Sequence, residues 1–253
     1  MAVKLTANVF NEMGVYWAEI ADKNQTDKQV QFLTKQLNPD GTILDLACGT
    51  GRHTVPLSQQ GFNMVGLDVS AKLLKIAKER GRRGQLVRAD MQFLPFKSEA
   101  FAAAVSMDTS IGYLASKSDD AQSLNELHRV LRQESTVVVD VFNRQNLAAK
   151  HKGKKPASKT REYPSFTLLQ TRTVSGSGDW LCDSWEVRDK SGGQVRVFEH
   201  TVRLYESAQL QGLLEKSGFK VDEVCGGYEG EKFSPESPRL IFVARAKFSA
   251  QLL

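Results

Sequence analysis

The stretch "ILDLACGTGRHT", Ile43 to Thr54, constrains this chain more than any other. It begins as an apolar strand broken by one acid, Asp45, passes through Ala47, Gly49 and Gly51, and turns into a helical pattern. Main chain can lie against a ligand only where no side chain intervenes, so glycines at the carboxyl end of a strand predict a ligand held by backbone. A dinucleotide turn would carry a third glycine three positions after Gly51, where this chain has Thr54. The carboxylate of Asp45 would also repel a pyrophosphate and suits a cationic ligand group. Arg52 and His53 are read as opening the following helix. A cation opposes the helix dipole there, so Arg52 predicts a contact with a ligand carboxylate, and His53 is placed near the surface.

The surrounding pattern predicts an alternating α/β architecture. Upstream, "TDKQVQFLTKQL" reads as a helix capped by Thr26, with Val30, Leu33 and Leu37 on one face. Downstream, "GRHTVPLSQQG" is a helix closed by Gly61, and "FNMVGLDV" a strand ending at Asp68. Ser70 caps "AKLLKIAKERG"; "GQLVRAD", "FAAAVSM" and "STVVVDVF" are further strands, with "DDAQSLNELHRVL" a helix before the last. Such alternation with short connections implies a parallel sheet. From Tyr163 to Tyr205 the chain instead becomes β-rich, with turn clusters "SGSGD" and "KSGGQ", and reads as an antiparallel insertion of about three strands. Helix "SAQLQGLLEKSG", capped by Ser207 and stopped by Gly218, precedes two strands with no helix between them, hence an antiparallel pair. The expectation is one domain over 1–253: an N-terminal helical or lid region (1–40), a core (41–142), a basic loop (143–162), the β insertion (163–205) and a C-terminal helix and hairpin (206–253).

Composition excludes several classes. No apolar run is long enough for a membrane span, and the N-terminus lacks the features of a secretory signal, so a soluble cytoplasmic protein is expected. Cys48, Cys182 and Cys225 form no C-x-x-C pair and are read as reduced thiols; the four histidines show no metal-ligand spacing, so no metal is expected. The net charge of +5 is concentrated in "RQNLAAKHKGKKPASKTR", Arg144 to Arg161, which has no acid. That run is read first as a solvated, mobile loop and second as a phosphate-tracking surface.

In order and spacing, "LDLACGTG", "GLDVS", "RADMQFLPF" and "FAAAVSM" resemble the successive nucleoside-binding motifs of class I S-adenosylmethionine-dependent methyltransferases, over Ile43 to Phe142. "CGTGRHT", "DVFNR", "VRLYESAQLQGLLEKSGF" and "SPRLIFVARA" extend the likeness to small-molecule enzymes of the glycine and amino-sugar N-methyltransferase type. The resemblance implies a Rossmann-like, seven-stranded, mostly parallel sheet with a reversed C-terminal hairpin. It further implies S-adenosylmethionine as cofactor, with Asp45 and the Ala47–Gly51 backbone at its methionine part. Asp68, with Val69 beside it, falls at the ribose, Asp90 and Met91 at the adenine, and Met107 on the far side. Two positions depart from the pattern: Ala102 follows Phe101 where an aspartate is usual, and "RQEST" replaces a Pro-Gly-Gly turn.

Methyl transfer from a sulfonium needs alignment and a dry pocket more than a nucleophile, and an amine acceptor must arrive deprotonated. Groups beyond the strand ends are therefore candidates: Asp108, Ser110 and Tyr113 for catalysis, Asn143 and Arg144 for the substrate. Tyr16 and Trp17, just ahead of the first helix, could cover the cofactor, with Tyr16 also a catalytic candidate. In the insertion His200, Arg203 and Tyr205 are read as sharing one strand face toward the substrate, joined by Arg239 and, more weakly, Glu229. The expected activity is methyl transfer to a small-molecule amine nitrogen, or to oxygen, by a monomer or homodimer. The alternatives are an RNA methyltransferase using the basic run, and a cofactor-binding protein without turnover.

Overall fold

The computed structural model describes residues 6–22, 25–81, 84–151 and 153–247. Helices α1 (Thr6–Asp22) and α2 (Thr26–Gln36) precede β1 (Thr42–Leu46), α3 (Thr54–Gln59), β2 (Asn63–Asp68), α4 (Ala71–Arg80), β3 (Gln85–Arg88), β4 (Phe101–Ser106), α5 (Lys117–Val130) and β5 (Leu131–Phe142). Then come α6 (Arg144–His151), β6 (Ala157–Glu162), β7 (Phe166–Val174), β8 (Trp180–Asp189), β9 (Val195–Arg203), α7 (Ser207–Lys216), β10 (Phe219–Cys225) and β11 (Arg239–Ala246). Seven strands make one sheet in the order β10-β11-β5-β4-β1-β2-β3. β1 to β5 run parallel, whereas β11 runs antiparallel to both β5 and β10, the reversed hairpin expected from the missing helix. Helices cover both faces, which is why the central strands read as almost unbroken apolar runs. Leu124, Leu127, Leu210 and Leu214 pack on one face, and Val30, Leu33 and Leu57 on the other.

Several helix ends differ from the sequence reading. Ser70 does cap α4, accepting from Leu73 N. Thr26 is instead the first residue of α2, and its hydroxyl accepts from Arg52 Nη1. Ser207 is likewise the first residue of α7, where Glu206 caps through a reciprocal bond with Gln209. The helix after the glycine turn starts at Thr54 rather than at Gly51, because the left-handed backbone of Gly49 and Gly51 cannot join a right-handed helix. "RQEST" is no turn: it lies within β5, with Glu134 at φ 59 beside an irregularity in the pairing with β4.

Larger corrections concern the insertion and the N-terminus. The basic run is not a loop. Its first part is α6, and its last residues form β6, paired in register with β7 from Ala157↔Arg172 to Glu162↔Thr167. β6 is largely solvent-exposed and α6 buries only Leu147, so neither carries the apolar periodicity that announces an element. The insertion is consequently a four-stranded antiparallel sheet, β6-β7-β8-β9. Tyr16 and Trp17 lie inside α1, which is kinked at Gly14 (φ 41), rather than ahead of a helix. Helix α1 fills the face of this second sheet: Met13, Tyr16 and Ile20 pack with Phe166, Val187 and Phe198, while Trp17 stacks on Trp185 with ring centres 5.6 Å apart.

A buried ion pair ties the second sheet to α5. Asp120, fully buried, accepts from Arg203 Nη1, from Tyr205 Oη at 2.6 Å and from Gly112 N at 3.1 Å; the Arg203 guanidinium also lies 4.7 Å from the Trp180 ring centre. Removing one partner would leave the other charge uncompensated in the interior. Asp120→Ala is expected to lower the free energy of unfolding in urea by about 3 kcal/mol or more, whereas Lys159→Ala on the exposed edge should change it by less than about 0.5 kcal/mol.

Candidate active site

At the carboxyl end of β1 the chain turns through Ala47 (φ 59), Gly49 (φ 55) and Gly51 (φ 72). A Cβ on Gly51 would come 3.1 Å from Ala77 Cβ and 3.2 Å from Val55 Cγ2, so its absence lets α4 close on the turn. Gly49 borders a cavity of about 180 Å3, and a Cβ there would face Leu73 and Trp17, two other walls of the cavity, each 3.9 Å away. Asp45, Asp68, Asp90, Met91 and Met107 line the same space, with Ala47 and Val69.

The three acids differ in state. Asp68 accepts from Gly49 N at 2.9 Å on one oxygen and from Ser70 N at 2.8 Å on the other, and burial pushes its carboxyl up. Those bonds fix its plane while leaving a lone pair on each oxygen for a vicinal diol. Asp45 accepts from Thr54 N at 3.1 Å and Thr54 Oγ1 at 2.6 Å through one oxygen, and desolvation raises its pKa to about 6. A buried carboxylate held at this cost is attractive to a cation. Asp90 is more exposed and accepts from Gln92 N at 2.9 Å.

Beyond this cavity lies a second chamber of about 420 Å3, between the strand tips and the insertion sheet. Trp17, Asp108 and Tyr113 line both spaces and form the neck between them. Aromatic rings surround that neck: Phe10 stands 5.1 Å from Trp17 and 5.3 Å from Tyr113, and Tyr113 stands 5.9 Å from His200. Burial pushes the Tyr113 phenol far above its usual range, so it stays protonated and can donate but not act as a base. Asp108 (φ 56) and Thr109 (φ 68) form a left-handed pair, a costly conformation for residues with side chains. Asp140 supports it, since Asp108 N donates to Asp140 Oδ2 at 2.9 Å and Thr109 N to its carbonyl at 2.8 Å. The same fully buried carboxylate accepts from Tyr228 Oη at 2.8 Å and Arg239 Nε at 2.7 Å.

The residues named from sequence distribute unevenly. Arg239 is half-enclosed by this network, donates to Thr109 Oγ1 at 2.9 Å and lines the second chamber, as do His200 and Glu229. Glu229 is exposed and paired with Lys28 at 2.6 Å. Arg52 meets a carboxylate of the protein itself: Nη2 lies 2.8 Å from Asp108 Oδ2, with Thr26 and Gln29 on Nη1. His53 is not near the surface but 4% exposed, 3.0 Å from Gln29 Oε1, and burial beside Arg52 holds its imidazole well below the usual range. Ser110 borders the first cavity and bonds back to Met107 O.

Five others lie outside both spaces. Tyr16 packs edge-on against Phe166 and turns its hydroxyl to Asp189, 3.4 Å away, because its side of α1 faces the insertion. Asn143 donates to the carbonyls of Ser234, Pro235 and Ser237 and so anchors the loop before β11. Arg144 is spent on Asp179, Glu206 and the Ser177 and Gly178 carbonyls. Arg203 and Tyr205 converge on Asp120 and do not share a face with His200; Arg203 comes three positions after His200, an odd step that reverses direction on a strand. The sequence reading missed Phe10, Gln29, Asp140, Asp183, Trp185 and Tyr228. Phe10 could have been found two helical turns before Trp17, and Asp140 as the one acid in an apolar strand.

Comparison with known proteins bears on this arrangement. A family profile described as "Methyltransferase domain" matches residues 43–134. A glycine/sarcosine N-methyltransferase of Halorhodospira halochloris is 31% identical over 135 residues, 50% of this chain and 50% of that protein. Residues 43–134 thus carry a methyltransferase domain, and relatives named methyltransferases support an S-adenosylmethionine-dependent enzyme. Among solved structures, a S-adenosylmethionine-dependent methyltransferase from Clostridium acetobutylicum ATCC 824 superposes with a TM-score of 0.79 at 18% identity, covering 94% of this chain and 99% of that one. The amino pentose methyltransferase CalS10 from Micromonospora echinaspora, determined with S-adenosylmethionine bound, gives 0.70 at 16% identity, covering 92% and 97%. The first cavity fits that cofactor: a wall of bare, left-handed backbone at Gly49, a fixed carboxylate for a diol, and a desolvated carboxylate for a cation.

Asp45 yields a prediction with a defined sign. A carboxyl whose pKa is about 6 when folded and 3.8 otherwise holds its proton more tightly in the folded state. Its ionisation cost is therefore absent at low pH, grows between those two values and is complete above about pH 6. Asp45→Asn keeps an oxygen for Thr54 but removes the charge. Unfolding titrations should show it more stable than the parent at pH 7 by on the order of 2 kcal/mol, with no gain at pH 4. Calorimetry should show S-adenosylmethionine bound about tenfold more weakly.

Proposed function

We propose that this methyltransferase modifies the nitrogen of a small polar amine held in the second chamber. The observation carrying this reading is the pair of spaces joined at an aromatic neck, the first matched to the cofactor and the second closed over by the insertion sheet. A chamber of about 420 Å3 roofed by β7, β8 and β9 suits a compact acceptor. The names of the Halorhodospira and Micromonospora relatives, an N-methyltransferase of glycine and sarcosine and a methyltransferase of an amino pentose, support a nitrogen acceptor.

The cofactor, when bound, supplies a methyl group on a positively charged sulfur. Asp45, Asp68 and the Ala47–Gly51 backbone hold and orient it. Trp17, Phe10 and Tyr113 exclude water from the neck and present ring faces to cationic groups, an attraction of about 0.5–2 kcal/mol per ring. Asp108 is pinned by Arg52 and by Asp140, so it acts as a fixed negative wall of the neck. Arg172 is matched by Asp183 and Arg239 by Asp140, which offsets the charge these two guanidiniums would present to an amine.

The test is turnover with S-adenosylmethionine against primary and secondary amines, amino acids, sugars, alcohols and bulk RNA, with methylated products located by mass spectrometry. Methyl on nitrogen of a small amine is the expected product; transfer only to oxygen or to RNA would overturn the assignment. Trp17→Ala, which opens the neck, should lower kcat/KM for the preferred acceptor about tenfold or more.

A further inference from the structure

Within the second chamber two buried polar atoms, Trp185 Nε1 and His200 Nδ1, have no hydrogen-bond partner among the described residues, and of the two only Nδ1 can accept. His200 is 7% exposed, lines the chamber and makes no hydrogen bond at Nδ1. Its ring is held on three sides, T-shaped against Trp185 at 5.2 Å and tilted against Phe10 at 5.7 Å and Tyr113 at 5.9 Å. The register of the insertion sheet places it: His200 on β9 is directly paired with Asp183 on β8, so both side chains project from the same face. His200 Nε2 stands 3.9 Å from Asp183 Oδ2, beyond hydrogen-bond length but close enough to favour the proton on Nε2. Nδ1 is then a lone pair on the chamber wall that no described donor engages.

Resting on the amine-methylation reading above, the geometry points to His200 as the residue that touches the acceptor, taking an N–H of the amine on Nδ1, with Asp183 as its positioning residue. An amine has one lone pair to give to a methyl group. A group that accepts its N–H anchors the nitrogen without consuming that pair, whereas a donor in the same place would block it. A neutral imidazole does this and an imidazolium cannot. The surroundings keep it neutral: burial and the Arg172 guanidinium oppose protonation more than Asp183 favours it, lowering its pKa to about 4, and the protonated Tyr113 phenol adds no charge. Asp183 is itself held by Arg172 at 2.6 Å and Gln170 at 2.9 Å, so the carboxylate that sets the tautomer cannot swing away.

The experiment combines imidazole 15N spectra with kinetics. In the complex with S-adenosylhomocysteine, His200 should be the neutral Nε2–H tautomer from about pH 5.5 to 8. Its Nδ1 resonance should move on adding the best amine from a panel of methylamine, ethanolamine, glycine and glucosamine. His200→Leu should lower kcat/KM for that amine about tenfold or more, and His200→Asn, which can place an amide oxygen near Nδ1, should recover most of the loss. Both variants should bind S-adenosylmethionine like the parent, and Asp183→Asn should mix the tautomers. A proton on Nδ1 in the parent, proton uptake above about pH 6, an Nδ1 signal that no amine moves, or equal activity of the Leu variant would each overturn the assignment. Failure to bind S-adenosylhomocysteine at all would instead sink the methyltransferase reading beneath it.

Discussion

Between β1 and β4 the order of the sheet reverses, so the segments leaving the carboxyl ends of these neighbours depart to opposite sides and leave a gap above them. Every feature of the site follows from that gap. Gly49 brings bare backbone to one side, Asp108 and Thr109 bring a strained turn to the other, and β2 adds Asp68 at the rim. A sheet in sequential order would carry the same residues with a helix filling the space between them.

The gap is polar, and its charges are paired before any ligand arrives. Asp140 takes Arg239, Asp108 takes Arg52 and Asp183 takes Arg172. Such pairs add little net stability, because desolvation offsets most of the attraction, but they break badly when one member is lost. Their shared effect is to keep guanidiniums from repelling a cationic sulfur or an amine. Against that neutralised background, Asp45 and the unpartnered Nδ1 of His200 stand out as groups held in states that water would not favour.

Legibility divided along the same line. Most of the first cavity was readable because, Phe10 and Trp17 apart, its residues come from one stretch of fewer than a hundred, near strand ends marked by glycine or acid. The second chamber was read poorly. Asn143 and Arg144 sit at the right strand end, yet they serve the loops near β11 and before β8. Arg203 and Tyr205 look like exposed polar positions but are consumed by an acid more than eighty residues away. Partners of that kind leave no local pattern, and the basic run shows the converse: high charge and no apolar period, yet a helix and an ordered edge strand through backbone pairing.

By itself the sequence determined the α/β class, the parallel core with a reversed C-terminal pair, the glycine turn and the three acids around it. These rest on local physics: a period of two or 3.6, a cap, a residue without Cβ. Only the tertiary structure decided what borders the second chamber, that Tyr16 faces away while Phe10 and Trp17 face in, and that His200 is left with a free lone pair beside Asp183. Those outcomes depend on register across β8 and β9 and on how α1 packs against that sheet. Contacts between distant segments are set by the mutual fit of whole surfaces, which no window of the chain encodes.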